Sequence, residues 1–230
     1  MLIRKVTVCV ARIPLLMMGI MGFFGIVSPV IAGAGQQPQF VLGEVMIKFR
    51  PGAEASAAVS RAIQSSPPNL DSLAPVARLL TEKVEIPLRA KQVSSGDWAV
   101  FDIDLDRLAS QAAAQLSKRD GVTDVQLRDS EGSGINVPKV KDLDVTFRAG
   151  SSSSTAVEDK VAGASEGGFA ALVDEMGRLT RLPLKGKAEA KSHLVLQIDL
   201  QALTSLLAER LRGSTDIVES AQLNYIMTGM

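Results

Sequence analysis

The chain has 230 residues, with 25 Lys+Arg balanced by 25 Asp+Glu, one histidine and one cysteine. Zero formal net charge removes the electrostatic case for a nucleic-acid or anionic-membrane surface. A single cysteine excludes an intrachain disulfide and any Cys-based metal cluster.

Residues 1–34 have the pattern of an export signal. Arg4, Lys5 and Arg12 make a basic start, an apolar run extends from Ile13 to Ala32, and Ala32-Gly33-Ala34 is the small-x-small sequence a signal peptidase accepts. Cleavage is expected after Ala34, with Ala32 the next choice; an uncleaved anchor is the alternative, because the run is long enough to span a bilayer. Cys9 falls in this segment. Removing its three basic residues leaves 22 Lys+Arg against 25 Asp+Glu. The expectation is an exported, periplasmic or secreted protein stabilised by apolar burial, with no membrane attachment after cleavage.

In chain order, Val45–Phe49 alternates with period two, as a half-buried strand does, and Pro51-Gly52 ends it. Ala58, Val59, Ala62 and Ile63 form a short helical stripe, broken at Pro67-Pro68. Leu79–Val93 is expected as a strand, with Pro87 marking a sheet edge or bulge. A turn at Ser94–Asp97 leads to a strand on which Ala99, Phe101 and Ile103 share a face. Asp104 is placed to cap a helix whose stripe is Leu105, Leu108, Ala112 and Leu116, and Val122–Leu127 closes the unit.

The plan then repeats. Trp98–Leu108 matches His193–Leu203 at a spacing of 95, with Ile103, Asp104, Leu105 and Leu108 recurring as Ile198, Asp199, Leu200 and Leu203. Ile86–Lys91 recurs as Leu182–Lys187, Phe49–Gly52 as Phe147–Gly150, and Val122–Leu127 as Val218–Leu223. In the second copy Ser151–Ser154 reads as a flexible loop, and Phe169, Leu172, Val173 and Met176 as the buried stripe of the first helix. The expected fold is α+β, two tandem ferredoxin-like β-α-β-β-α-β units, each an antiparallel sheet with helices on one face. The boundaries are 35–131 for the first unit, 132–142 for a linker and 143–230 for the second.

Chemistry-bearing patterns are scarce. His193, at a strand start equivalent to Trp98, has no Gly-x-Ser-x-Gly elbow to serve. No phosphate-binding loop, dinucleotide fingerprint or metal-ligand spacing occurs, so neither an enzyme nor a cofactor site is expected. Asp104 and Asp199 read as helix caps, Arg89/Lys91 and Lys185/Lys187 as solvated strand ends, and Asp120, Asp124 and Asp129 lack calcium-loop spacing. Trp98 reads as core or sheet surface.

Gly43-Glu-Val-Met-Ile-Lys-Phe-Arg-Pro-Gly52 resembles the opening strand of the propeptides of subtilisin-like serine proteases, the fervidolysin type above all. Asp120-Gly-Val-Thr-Asp-Val125 and Val218–Ile226 resemble closing strands of that family. The resemblance implies a ferredoxin-like inhibitor or folding chaperone whose open sheet face packs on the protease. It further implies that a C-terminal tail, here Asn224, Tyr225, Ile226, Met227, Thr228, Gly229 and Met230, enters the active-site cleft. Action would be in trans on a subtilisin-like protease, and the second copy lacks the Gly-Glu-Val opening. The alternatives are a small-molecule-binding or sensory module with a pocket between the copies, and a cell-envelope interaction protein.

Overall fold

The computed structural model describes residues 40–94, 97–130, 138–190 and 192–225. The expected export signal, most of the linker and Ile226–Met230 lie outside the described residues. The described residues form an α+β fold with six α-helices and two four-stranded antiparallel sheets.

The first half contributes β1 (Phe40–Phe49), α1 (Glu54–Gln64), a 3-10 turn (Leu70–Leu73), α2 (Ala74–Val84), β2 (Leu88–Ser94), β3 (Trp98–Ile103), α3 (Leu105–Leu116) and β4 (Val122–Asp129). The second contributes β5 (Lys141–Phe147), α4 (Ser152–Val161), α5 (Gly167–Thr180), β6 (Leu184–Ala190), β7 (His193–Ile198), α6 (Leu200–Gly213) and β8 (Val218–Tyr225). Alternation places Val45, Ile47 and Phe49 of β1 in the core, with Leu143, Val145 and Phe147 at the equivalent places of β5.

Two local expectations are corrected. Leu79 belongs to α2, and the strand runs only over Leu88–Ser94. Val76, Ala77, Leu80 and Val84 supply a helical stripe, Pro75 suits the first turn, and Glu85 ends the helix in the left-handed region at φ 58°. Pro87 thus precedes β2, which is an edge strand. Ser151–Ser154 is ordered: the Ser151 hydroxyl accepts from the Ser154 N–H and caps α4, and Ser153 and Ser154 are buried. Phe169, Leu172, Val173 and Met176 are buried as expected, but on the second of two helices.

The sheet orders are β2-β3-β1-β8 and β4-β5-β7-β6. Each sheet therefore takes its fourth strand from the other half of the chain. The helix before that strand goes with it: α6 packs on β1, β8 and α2, while α3 packs on β4, β5 and α5. Burying Leu200, Leu203, Leu207, Leu211 and Val218 across this exchange contributes on the order of 10 kcal/mol, at about 2 kcal/mol per side chain.

The crossing points are Asp104 and Asp199. Each backbone N–H stays at home, donating to Pro87 O and Pro183 O respectively at 2.9 Å. Each carboxylate accepts from the first turn of the departing helix, Arg107 N–H and Ala202 N–H, both at 3.1 Å. One aspartate thus ends a strand in one sheet and caps a helix over the other.

Candidate functional site: the open face of the first sheet

With Val45, Ile47 and Phe49 directed to the helices, Glu44, Met46 and Lys48 lie on the opposite face of β1. The register pairs them with Asp102, Val100 and Trp98 of β3, and Met46 with Gln222 of β8. Residues directly paired across antiparallel strands share a face. Met46, Val100 and Trp98 therefore form an apolar strip, Val100 buried and the other two half-buried.

Charged pairs frame the strip. Lys48 Nζ lies 2.7 Å from Glu219, and Arg89 pairs with Asp102 at 2.9 Å, which holds the Arg89 pKa above its usual value. Glu44 is 7% exposed and accepts from two directions, from Lys91 on β2 and from Asn224 Nδ2 on β8 at 2.8 Å. A nearly buried carboxylate needs such partners, because desolvation without them is costly. Tyr225, the last described residue, sets its ring edge-on to Phe40 at 6.4 Å and is 47% exposed.

Of the tail residues singled out from sequence, Asn224 and Tyr225 are therefore brought to this site, and Ile226, Met227, Thr228, Gly229 and Met230 lie outside the described residues. The base of the tail sits in the sheet built from the first copy. Glu44, the residue that ties strand end to sheet face, was legible only as part of a strand pattern, since nothing in a single sequence reveals its partners.

The second sheet has the same geometry and different chemistry. Its open face carries Asp142, Asp144 and Thr146 of β5 against Val195 and His193 of β7. Asp142 accepts from Gln197 at 3.1 Å. Asp144 Oδ1 has no hydrogen-bond partner among the described residues; His193 Nδ1 is 3.7 Å from it and 3.3 Å from Thr146 Oγ1. Arg128 on β4 holds Glu189 below the usual carboxylate range through a hydrogen bond and its charge. The basic pairs have carboxylate partners: Lys185 with Asp199 at 2.8 Å, Lys187 with Glu189 at 3.7 Å.

Shallow clefts of about 500 and 570 Å³ lie at equivalent places between α2 and β2 and between α5 and β6. A third, of about 530 Å³, lies between the halves beside Glu85, Gln115, Lys118 and Arg181. Among the described residues no three His, Cys, Asp or Glu side chains form a metal-holding group, and no helix is long and apolar enough to cross a membrane. No family model, curated protein or solved structure matches the chain.

Proposed function

We propose that the chain is an exported, non-enzymatic protein that binds a subtilisin-like serine protease in trans, as its inhibitor or folding helper. In this reading each sheet with its helices is a ferredoxin-like unit, closed by the strand it receives from the other half. The observation that carries the reading is the meeting of β8 with the open face of the first sheet. An apolar strip suited to a partner's surface lies on the same sheet as the strand from which the chain leaves after Tyr225. Backbone leaving an edge strand is suited to pair in an extended cleft. The first sheet is favoured over the second because its open face carries Trp98 and Met46, where the second presents His193 and Asp144.

The test is inhibition of a panel of subtilisin-like proteases by residues 35–230, by a form ending after Tyr225, and by Trp98→Ala. Truncation after Leu223 would remove Asn224 from Glu44 and confuse tail with fold. Inhibition lost in the truncated form and weakened by Trp98→Ala supports the reading. Absence of inhibition and of binding by the full form overturns it for that panel.

The cleft beside Glu85, Gln115, Lys118 and Arg181 supports a second reading, a small-molecule site between the halves. Ligand-dependent thermal stabilisation that is lost in Gln115→Leu would favour it over the first.

A further inference from the structure

The exchange of α3–β4 for α6–β8 raises the question of what selects it. By pattern either segment could complete either sheet: Asp104 and Asp199, Leu108 and Leu203, Leu116 and Leu211, Val122 and Val218 are equivalent. By size they are not interchangeable. At one core position the two differ in volume: α6, which packs on α2, β1 and β8, buries Leu207 where α3 has Ala112. The helices they face differ the other way: α5, beside α3, buries Leu172, Val173 and Met176, where α2, beside α6, buries the smaller Val76, Ala77 and Leu80. The larger closing residue thus goes with the smaller facing stripe in each unit, as dense packing requires.

A polar contact makes the same choice. Thr204 Oγ1 on α6 accepts from the Gly43 N–H of β1 at 2.8 Å in a buried setting. The equivalent residue of α3 is Ala109, which has no acceptor to give. If the first half closed on its own α3–β4, it would put Ala112 in the place of Leu207 and leave a buried N–H unpaired.

We propose that the two halves, residues 38–130 and 138–230, are obligate complementary partners, so that a chain cut between them persists as a two-polypeptide complex with the fold of the intact protein. The physical content is that each half contains three strands of one sheet and the closing helix and strand of the other. Neither half holds a complete core, and the contacts that join them are the cores themselves. This inference is independent of what the protein binds.

The experiment inserts a specific protease recognition sequence between Gly132 and Gly134, cuts the purified full-length protein, and follows it by gel filtration and circular dichroism. The expected result is co-elution of both fragments at the volume of the uncut protein with an unchanged spectrum. Unfolding should become concentration-dependent, its midpoint falling on tenfold dilution only after cutting. In a second arm the halves are produced separately and mixed; recovery of the same complex, from halves that singly lack a cooperative transition, is expected. Separation of the fragments after cutting, precipitation on cutting, or cooperative unfolding of an isolated monomeric half would each overturn the proposal. A Leu207→Ala, Ala112→Leu pair addresses selection: reconstitution of the mixed halves should fall at least tenfold, and no change would show that side-chain size does not choose the partner.

Discussion

Glu85 and Arg181 occupy equivalent positions in the two halves, each ending a helix in the left-handed region, and they pair with each other. Their φ values are 58° and 57°, and each N–H closes its helix on the carbonyl four residues back, Thr81 O and Gly177 O. A duplicated helix end has therefore become two-sided, acidic in one copy and basic in the other. Left-handed backbone is unfavourable for any side chain with a Cβ. The ion pair is exposed and screened by solvent, so it gives little in return.

Replacing either residue by glycine should accordingly leave the melting temperature equal or higher, because relief of backbone strain outweighs an exposed pair. Alanine at the same positions should lower it, keeping the strain and losing the pair. A glycine variant that melts well below the unchanged protein would show the ion pair to matter more than the backbone.

Arg119, at the corner between α3 and β4, should be a strong point of attachment for the exchanged segment. Its side chain is 15% exposed; it forms a fork with Glu175 of α5 at 3.0 Å twice, donates to Ser153 Oγ at 2.8 Å, and lies 6.0 Å above the Phe147 ring. Arg119→Met should cost about 1–3 kcal/mol, because the buried Ser153 hydroxyl loses its donor and the half-exposed Glu175 its charged partner. Arg119→Lys should restore only part of this, because a lysine cannot reproduce the planar fork. Urea unfolding of both variants measures it, and a Lys form as stable as the unchanged protein would sink the geometric part of the argument.

Much of the local structure was legible because it depends on spacing alone. The Asp104 and Asp199 caps, the Leu105–Leu116 stripe and the buried set Phe169, Leu172, Val173 and Met176 are local patterns with local consequences. The helix over Ala74–Val84 was hidden because Ile86 and Leu88 carry its apolar residues on across Pro87 into the edge strand, so one stretch held two elements. The partner of each closing strand was not legible from pattern. Val122 and Val125 recur as Val218 and Ala221, at the same spacing, so the pattern fits either sheet. What distinguishes them is volume, alanine on α3 against leucine on α6, and volume matters only once the facing helices are known. The open face of the first sheet was foreseen as a feature of the fold, but its centre, Glu44 between Lys91 and Asn224, joins residues 180 apart in sequence.

Gly186→Ala should destabilise the protein by about 1–3 kcal/mol, the range for overpacking a filled core. A methyl group there would come within 2.3 Å of Val173 Cγ2 and 3.3 Å of Leu194 Cδ1 and the Phe169 ring. The equivalent first-half residue, Ala90, carries that methyl with no difficulty, since Ala77 stands where Val173 does. The double variant Gly186→Ala, Val173→Ala should recover part of the loss. If Gly186→Ala alone is neutral in urea unfolding, the second core is looser than its contacts imply.

Stability should be level from neutral pH down to about 4.5 and fall below it. Glu85, Glu166, Glu175 and Glu189 are held below the ordinary glutamate value of 4.5, in each case first by a hydrogen bond from a basic side chain: Arg181, Lys160, Arg119 and Arg128. Asp199 and Asp216 are held below 3.8 in the same way by Lys185 and Lys83. A carboxylate whose pKa is lower folded than unfolded contributes stability above the unfolded value, and that contribution disappears as pH falls through the folded one. Urea midpoints at pH 7, 5.5, 4 and 3 test the direction, and Glu175→Gln should shallow the acid limb while lowering the neutral plateau. Loss of stability already between pH 7 and 5.5 would overturn the carboxylate account.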